Sequence, residues 1–161
     1  MLRKIIFILI AGLIIIQFIR PAKNIATAEQ PNHISTAINV PEPVRNILSR
    51  SCMDCHSNNT TYPWYDKIQP FAWFLNNHIK EGKSEINFDE YASYNLRRQY
   101  HKMEEITEQI KEDKMPLKSY RIMHADARLT PEDKQILIQW AENTMNDMKA
   151  KYPADSLLKR N

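Results

Sequence analysis

Only two glycines occur in 161 residues, Gly12 and Gly82, and the first lies in an apolar N-terminal run. The Rossmann fingerprint and the P-loop need several glycines close together to bring backbone against phosphate, so nucleotide-binding folds of those kinds are excluded. Tight β-hairpins, which favour Asn-Gly or Asp-Gly turns, are disfavoured on the same ground. The apolar residues recur at spacings of three and four, and no stretch alternates convincingly. The expected class is all-α, and the length suits a single domain.

Charge is unevenly placed. The first 23 residues hold four bases (Arg3, Lys4, Arg20, Lys23) and no acid. Without them the chain carries 18 bases against 19 acids, so the formal +3 belongs to the N-terminus. A nucleic-acid binder needs a basic face on its folded part, and this chain lacks that excess. Ile5–Ile19 is free of charge. As a helix it would be roughly 22 Å long against a hydrocarbon core of roughly 30 Å, and Met1–Lys4 would bring it close to a span. The alternative is a cleaved signal peptide, but its only small-x-small site, Ala26-Thr27-Ala28, is displaced from the apolar run by polar residues. The expectation is a membrane anchor over 1–23 and a periplasmic or equivalent extracytoplasmic domain. The bases before the run bias its N-terminus inward.

Residues 24–41 lack periodicity and read as a linker, with His33 solvated. A first domain helix is predicted over 42–55. A second over 70–81 has Pro70 in its first turn and Gly82 as its stop. A third runs from an Asp89 cap to about Lys114, with a possible break near 97–100, and Met115-Pro116 ends it. A short helix is predicted over 117–124. A last helix has Thr130 as N-cap, Pro131 at its first position and Glu132 and Asp133 at the positive end of its dipole. The domain therefore spans 42–152, and 153–161 read as a polar, frayed tail.

Cys52-Met53-Asp54-Cys55-His56 carries the chemistry. On a helix, Cys52 and Cys55 share a face at i and i+3. Each sulfur can form a thioether to one haem vinyl group, and His56 is placed to ligate the iron. This is the c-type haem attachment signature. A thioredoxin-like dithiol would need βαβ patterning, and a zinc site would need a second ligand pair at finger-like spacing. A small disulfide is the remaining alternative.

The second axial position has several candidates. Met115 is best placed, because Pro116 takes its backbone out of the helix and it follows His56 by 59 positions. His78 is the rival, on the apolar stripe of the second helix; it can equally be a core histidine or a haem-propionate partner. Met103 reads as core, Met123 as core or partly exposed, and His101 and His124 as surface or packing residues. Trp64, Trp73 and Trp140 read as mostly core, with one indole N–H available to a propionate. Glu104-Glu105 and Glu132-Asp133 read as solvated faces.

Several strings, in this order, resemble the bacterial haem-binding-domain family of small membrane-anchored c-type cytochromes. They are Gln17-Phe18-Ile19-Arg20-Pro21; Cys52-x-x-Cys55-His56; Asn58-Asn59-Thr60 with Tyr62-Pro63-Trp64-Tyr65; His78-Ile79 with Gly82; Asn87-Phe88; Met115-Pro116-Leu117 with Tyr120; and Leu129-Thr130-Pro131-Glu132. The likeness covers roughly residues 5–145. More distantly, the helix with C-x-x-C-H, the later Met-Pro and the amphipathic last helix resemble class I cytochrome c. The resemblance implies one covalent haem c at the outer face of the cytoplasmic membrane. The leading expectation is an electron-transfer protein rather than an enzyme, with an unidentified redox partner protein. The alternatives are a haem-based sensor or small peroxidase, which needs a displaceable sixth ligand, and a haem-free thiol redox protein.

Overall fold

The computed structural model describes residues 1–158, and the end of the expected tail, 159–161, lies outside them. Eight α-helices are present among the described residues: α1 (Leu2–Ile16), α2 (Glu42–Ser51), α3 (Met53–His56), α4 (Phe71–Glu85), α5 (Leu96–Lys111), α6 (Lys118–Met123), α7 (Pro131–Lys151) and α8 (Ala154–Leu157). There is no strand among them, only an isolated bridge between Ile25 and Asn59. The all-α expectation holds.

α7 begins where its cap chemistry requires. Thr130 accepts from the Asp133 N–H, and the Asp133 carboxylate accepts from the Thr130 N–H, a reciprocal capping box. α7 lies along α5, and α2 packs against α7. Val44, Ile47 and Leu48 from α2 meet Met103 and Ile110 from α5 and Leu137, Trp140 and Ala141 from α7 in one core.

Four expectations need correction. The segment 24–41 is not a spacer: Ile34 is fully buried in the core, its N–H donates to the Phe88 carbonyl, and the Trp140 indole donates to the Asn39 carbonyl. His33 is correspondingly engaged, accepting from the Ser35 N–H. The third helix starts later than expected, because Asn95 caps α5 by accepting from the Arg98 N–H. Asp89 instead accepts from the Asn58 N–H. In the tail, Leu157 is buried against Tyr100 and Met148. Finally, Trp140 alone of the three tryptophans is core; Trp64 and Trp73 are exposed.

α1 has 15 residues, none of them buried. No helix among the described residues is long and apolar enough to cross a membrane. The transmembrane anchor expected over 1–23 therefore gains no support from helix length.

Candidate haem site

The predicted helix over 42–55 is divided. α2 stops at Ser51, Cys52 leaves helical geometry at φ −130°, and α3 is one turn carrying Cys55 and His56. The Cys52 carbonyl accepts from the N–H groups of both Cys55 and His56. The three residues thus share one turn, as their spacing predicts.

Gly82 brings α4 against that turn. The helix does not stop there but continues to Glu85. A Cβ on Gly82 would lie 2.7 Å from the Cys55 carbonyl oxygen and 3.1 Å from the Cys55 Cβ. The absence of a side chain, rather than any helix-ending role, is what this position uses.

The same approach fixes the tautomer of His56. Its Nδ1 is 2.9 Å from the Gly82 carbonyl and 3.0 Å from the Ile86 carbonyl. Carbonyls only accept, so Nδ1 carries the hydrogen and the Nε2 lone pair is left for a metal. Backbone carbonyls commonly orient metal-ligating histidines in this way. Burial lowers the His56 pKa, against the opposing pull of the two carbonyl bonds, and so favours the neutral ring a ligand requires.

Both cysteines are unbonded. Burial, reinforced by the neighbouring Cys55, pushes the Cys52 thiol up to about 12. Burial, with Asp54 beside it, pushes the Cys55 thiol up to about 11. A catalytic dithiol needs the opposite, a pKa lowered toward neutrality by positive surroundings.

Met115 approaches from the far end of α5. Asp113, at φ 55°, adopts the left-handed conformation and turns the chain out of the helix. Its carboxylate binds Lys134 at 2.7 Å and Arg121 at 3.2 Å, and these partners hold it below the usual carboxylate range. The turn is thereby tied to α6 and α7. Met115 follows, half-buried and outside any helix, before the buried Pro116.

A cavity of about 380 Å³ is lined by Cys52, Cys55, His56, His78 and Met115 together. Every expected site residue, and the rival His78, faces one space. A second cavity of about 320 Å³ shares Cys52, His56 and Met115 and adds the apolar wall of Leu48, Phe88, Ile110 and Leu137. A third, of about 300 Å³, shares Cys55 and His78 and adds Trp64, Phe71, Phe74 and Met123. These volumes and linings suit a flat, largely apolar cofactor. A larger groove of about 610 Å³, between residues 37–44 and α7, contains no cysteine or histidine.

The other candidates are placed elsewhere. Met103 is fully buried in the core. His101 pairs with Glu104 and Glu105 at the surface. His124 stacks on Tyr120 at 4.0 Å. Met123 is half exposed, within its expected range, and lines the third cavity. Asp54 has a role that spacing does not disclose: its carboxylate accepts from Tyr120 on α6 and from the Thr61 N–H. No local signal in the sequence marks this partnership, because Asp54 and Tyr120 lie 66 positions apart.

A family model described as a haem-binding domain matches residues 11–143. No curated protein and no solved structure matches the chain.

Proposed function

Because the chain belongs to the haem-binding-domain family, we propose that it is a monohaem c-type cytochrome that carries single electrons. The observation that carries this reading is the shared cavity of Cys52, Cys55, His56 and Met115. Bound there, haem supplies an iron that alternates between ferric and ferrous states. Cys52 and Cys55 hold the macrocycle through thioethers, with the Cys55-bearing turn packed on Gly82. His56 ligates through Nε2, its ring orientation held by the Gly82 and Ile86 carbonyls. Met115 would supply the second iron ligand; it shares two of the three cavities with His56, and His78 shares one. Two protein ligands of this kind, His56 and Met115, would leave a bound haem iron to exchange electrons rather than to bind a substrate.

The domain is read as lying at the outer face of a membrane, with α1 in contact with lipid. The support is the apolar run itself, whose residues in α1 are all unburied. At 15 residues α1 is shorter than the roughly 20 that a full span needs. Its redox partner is a separate protein.

The test is an optical spectrum, oxidised and reduced, of protein produced with a cytochrome c maturation system. A low-spin c-type spectrum with the weak Met–iron charge-transfer band in the oxidised form is expected. A high-spin ferrous form that binds carbon monoxide at once would favour the sensor or peroxidase alternative. A colourless protein would remove the haem reading.

A further inference from the structure

The end of α1 is joined to the start of α4 by a built polar contact. Gln69 is buried, 3 % exposed, and every side-chain polar atom it has is used. Its Nε2 donates to the Ile19 carbonyl at 2.7 Å, and its Oε1 accepts from the Trp73 N–H at 3.2 Å. Its backbone N–H donates to the Gln17 Oε1, and its carbonyl accepts from the Gln17 Nε2. Arg20 adds bonds to the Asp66 and Lys67 carbonyls at 3.2 and 2.6 Å. A satisfied buried network of this kind rigidifies the elements it connects. The residues that follow α1, 17–20, are therefore not a loose tether but are fixed to the segment that leads into α4.

Around this joint the surface is apolar and basic. Phe18 is 83 % exposed, Ile19 55 %, Ile68 42 % and Trp73 37 %. None of the four lines any of the three cavities of the haem site. The Trp73 indole N–H donates to the Ile19 carbonyl at 3.0 Å, which leaves the hydrocarbon part of the ring outward with its polar atom satisfied. Tryptophan in that arrangement is suited to the boundary between water and lipid. Three bases, Arg20, Lys23 and Lys67, stand here against one acid, Asp66, which Lys23 pairs. Such a surplus is complementary to anionic headgroups.

We propose that Phe18, Ile19, Ile68 and Trp73 form a belt that seats the domain on an anionic phospholipid surface. The occupant is lipid because the belt is continuous with α1, whose residues are all unburied and which no other element covers among the described residues. The inference rests on the membrane location proposed above and adds an orientation to it. Phe71 and Phe74, which wall the third cavity, leave α4 within its first turn. The belt thus sets the α4 turn that carries Phe71 and Phe74, and with it one wall of the third cavity, near the membrane surface, where an electron donor or acceptor resident in the membrane would approach.

The test uses the full-length holoprotein in vesicles of phosphatidylethanolamine and phosphatidylglycerol that carry a diazirine on one acyl chain. After photolysis and proteolysis, adducts are mapped by mass spectrometry. Adducts are expected on α1, on Phe18–Ile19 and on residues 66–73, with none on α7. Adducts confined to α1 would overturn the seat and leave the membrane location standing. Equal labelling of α7 would overturn it as well, since the domain would then have no preferred face. Protein that stays in solution and takes no label would overturn the membrane location and the seat together.

Discussion

The Tyr120 hydroxyl donates to the Asp54 carboxylate at 2.6 Å, joining the helix that follows Met115 to the turn that carries both cysteines. Burial, with the hydrogen bond to Asp54 acting the same way, raises the Tyr120 phenol far above its usual range. The hydroxyl therefore remains a donor at any pH the protein meets. Tyr120→Phe should cost about 1.5–3 kcal/mol, the scale of a hydrogen bond to a charged group, read as a lower denaturant midpoint. It should also weaken the Met–iron charge-transfer band, because α6 and the Met115 segment lose their link to α3. An unchanged midpoint would make the contact incidental.

Gly82→Ala should destabilise the protein although alanine is the better helix former. The added Cβ would meet the Cys55 carbonyl oxygen at 2.7 Å, and that oxygen belongs to backbone that cannot swing aside. Overpacking of this kind costs about 1–3 kcal/mol, which exceeds the roughly 1 kcal/mol gained in helix propensity. Thermal unfolding of the holoprotein measures the balance. A rise in Tm would show that α4 and α3 are less closely packed than described.

In haem-free protein the two thiols should be unreactive at neutral pH. Their pKa values of about 12 and about 11 exceed the ordinary 9.0, so the folded chain holds both protons where an unfolded chain begins to release them. Folding stability from this source is complete below about pH 9 and falls as pH rises through the folded values. Alkylation by iodoacetamide at pH 8 should be much slower than in the same chain in denaturant. Equal rates would mean the thiols are not buried as described.

The distal ligand separates two accounts. Met115→Ala should abolish the charge-transfer band, lower the reduction potential and open the ferrous iron to carbon monoxide, since a thioether favours ferrous iron. His78→Ala should leave the band in place. His78 is a serious rival because its Nδ1 donates to the Phe74 carbonyl at 2.8 Å, which leaves Nε2 free within the same cavity. A native spectrum in Met115→Ala with an open iron in His78→Ala would make this a bis-histidine protein.

Local chemistry made much of this legible. The Thr130 cap of the last helix, the shared turn of Cys52, Cys55 and His56, and the non-helical Met115 before Pro116 all follow from neighbours within a few positions. The misread parts depend on distant partners. Residues 24–41 have no apolar period because they are held by single contacts to remote backbone, such as the Ile34 N–H to the Phe88 carbonyl. Gly82 reads as a helix stop until Cys55 is known to lie against it. The link from Asp54 to Tyr120 spans 66 positions, and no local pattern marks it.

The central claim is that Cys52 and Cys55 hold one haem covalently. The most direct measurement is the mass of the polypeptide after acid–acetone extraction of the holoprotein, taken beside the Cys52→Ala, Cys55→Ala double variant. The account predicts a wild-type chain heavier by one haem, with none in the extract, and a double variant at the mass of the bare polypeptide. A bare wild-type chain with its haem recovered in the acetone would contradict it.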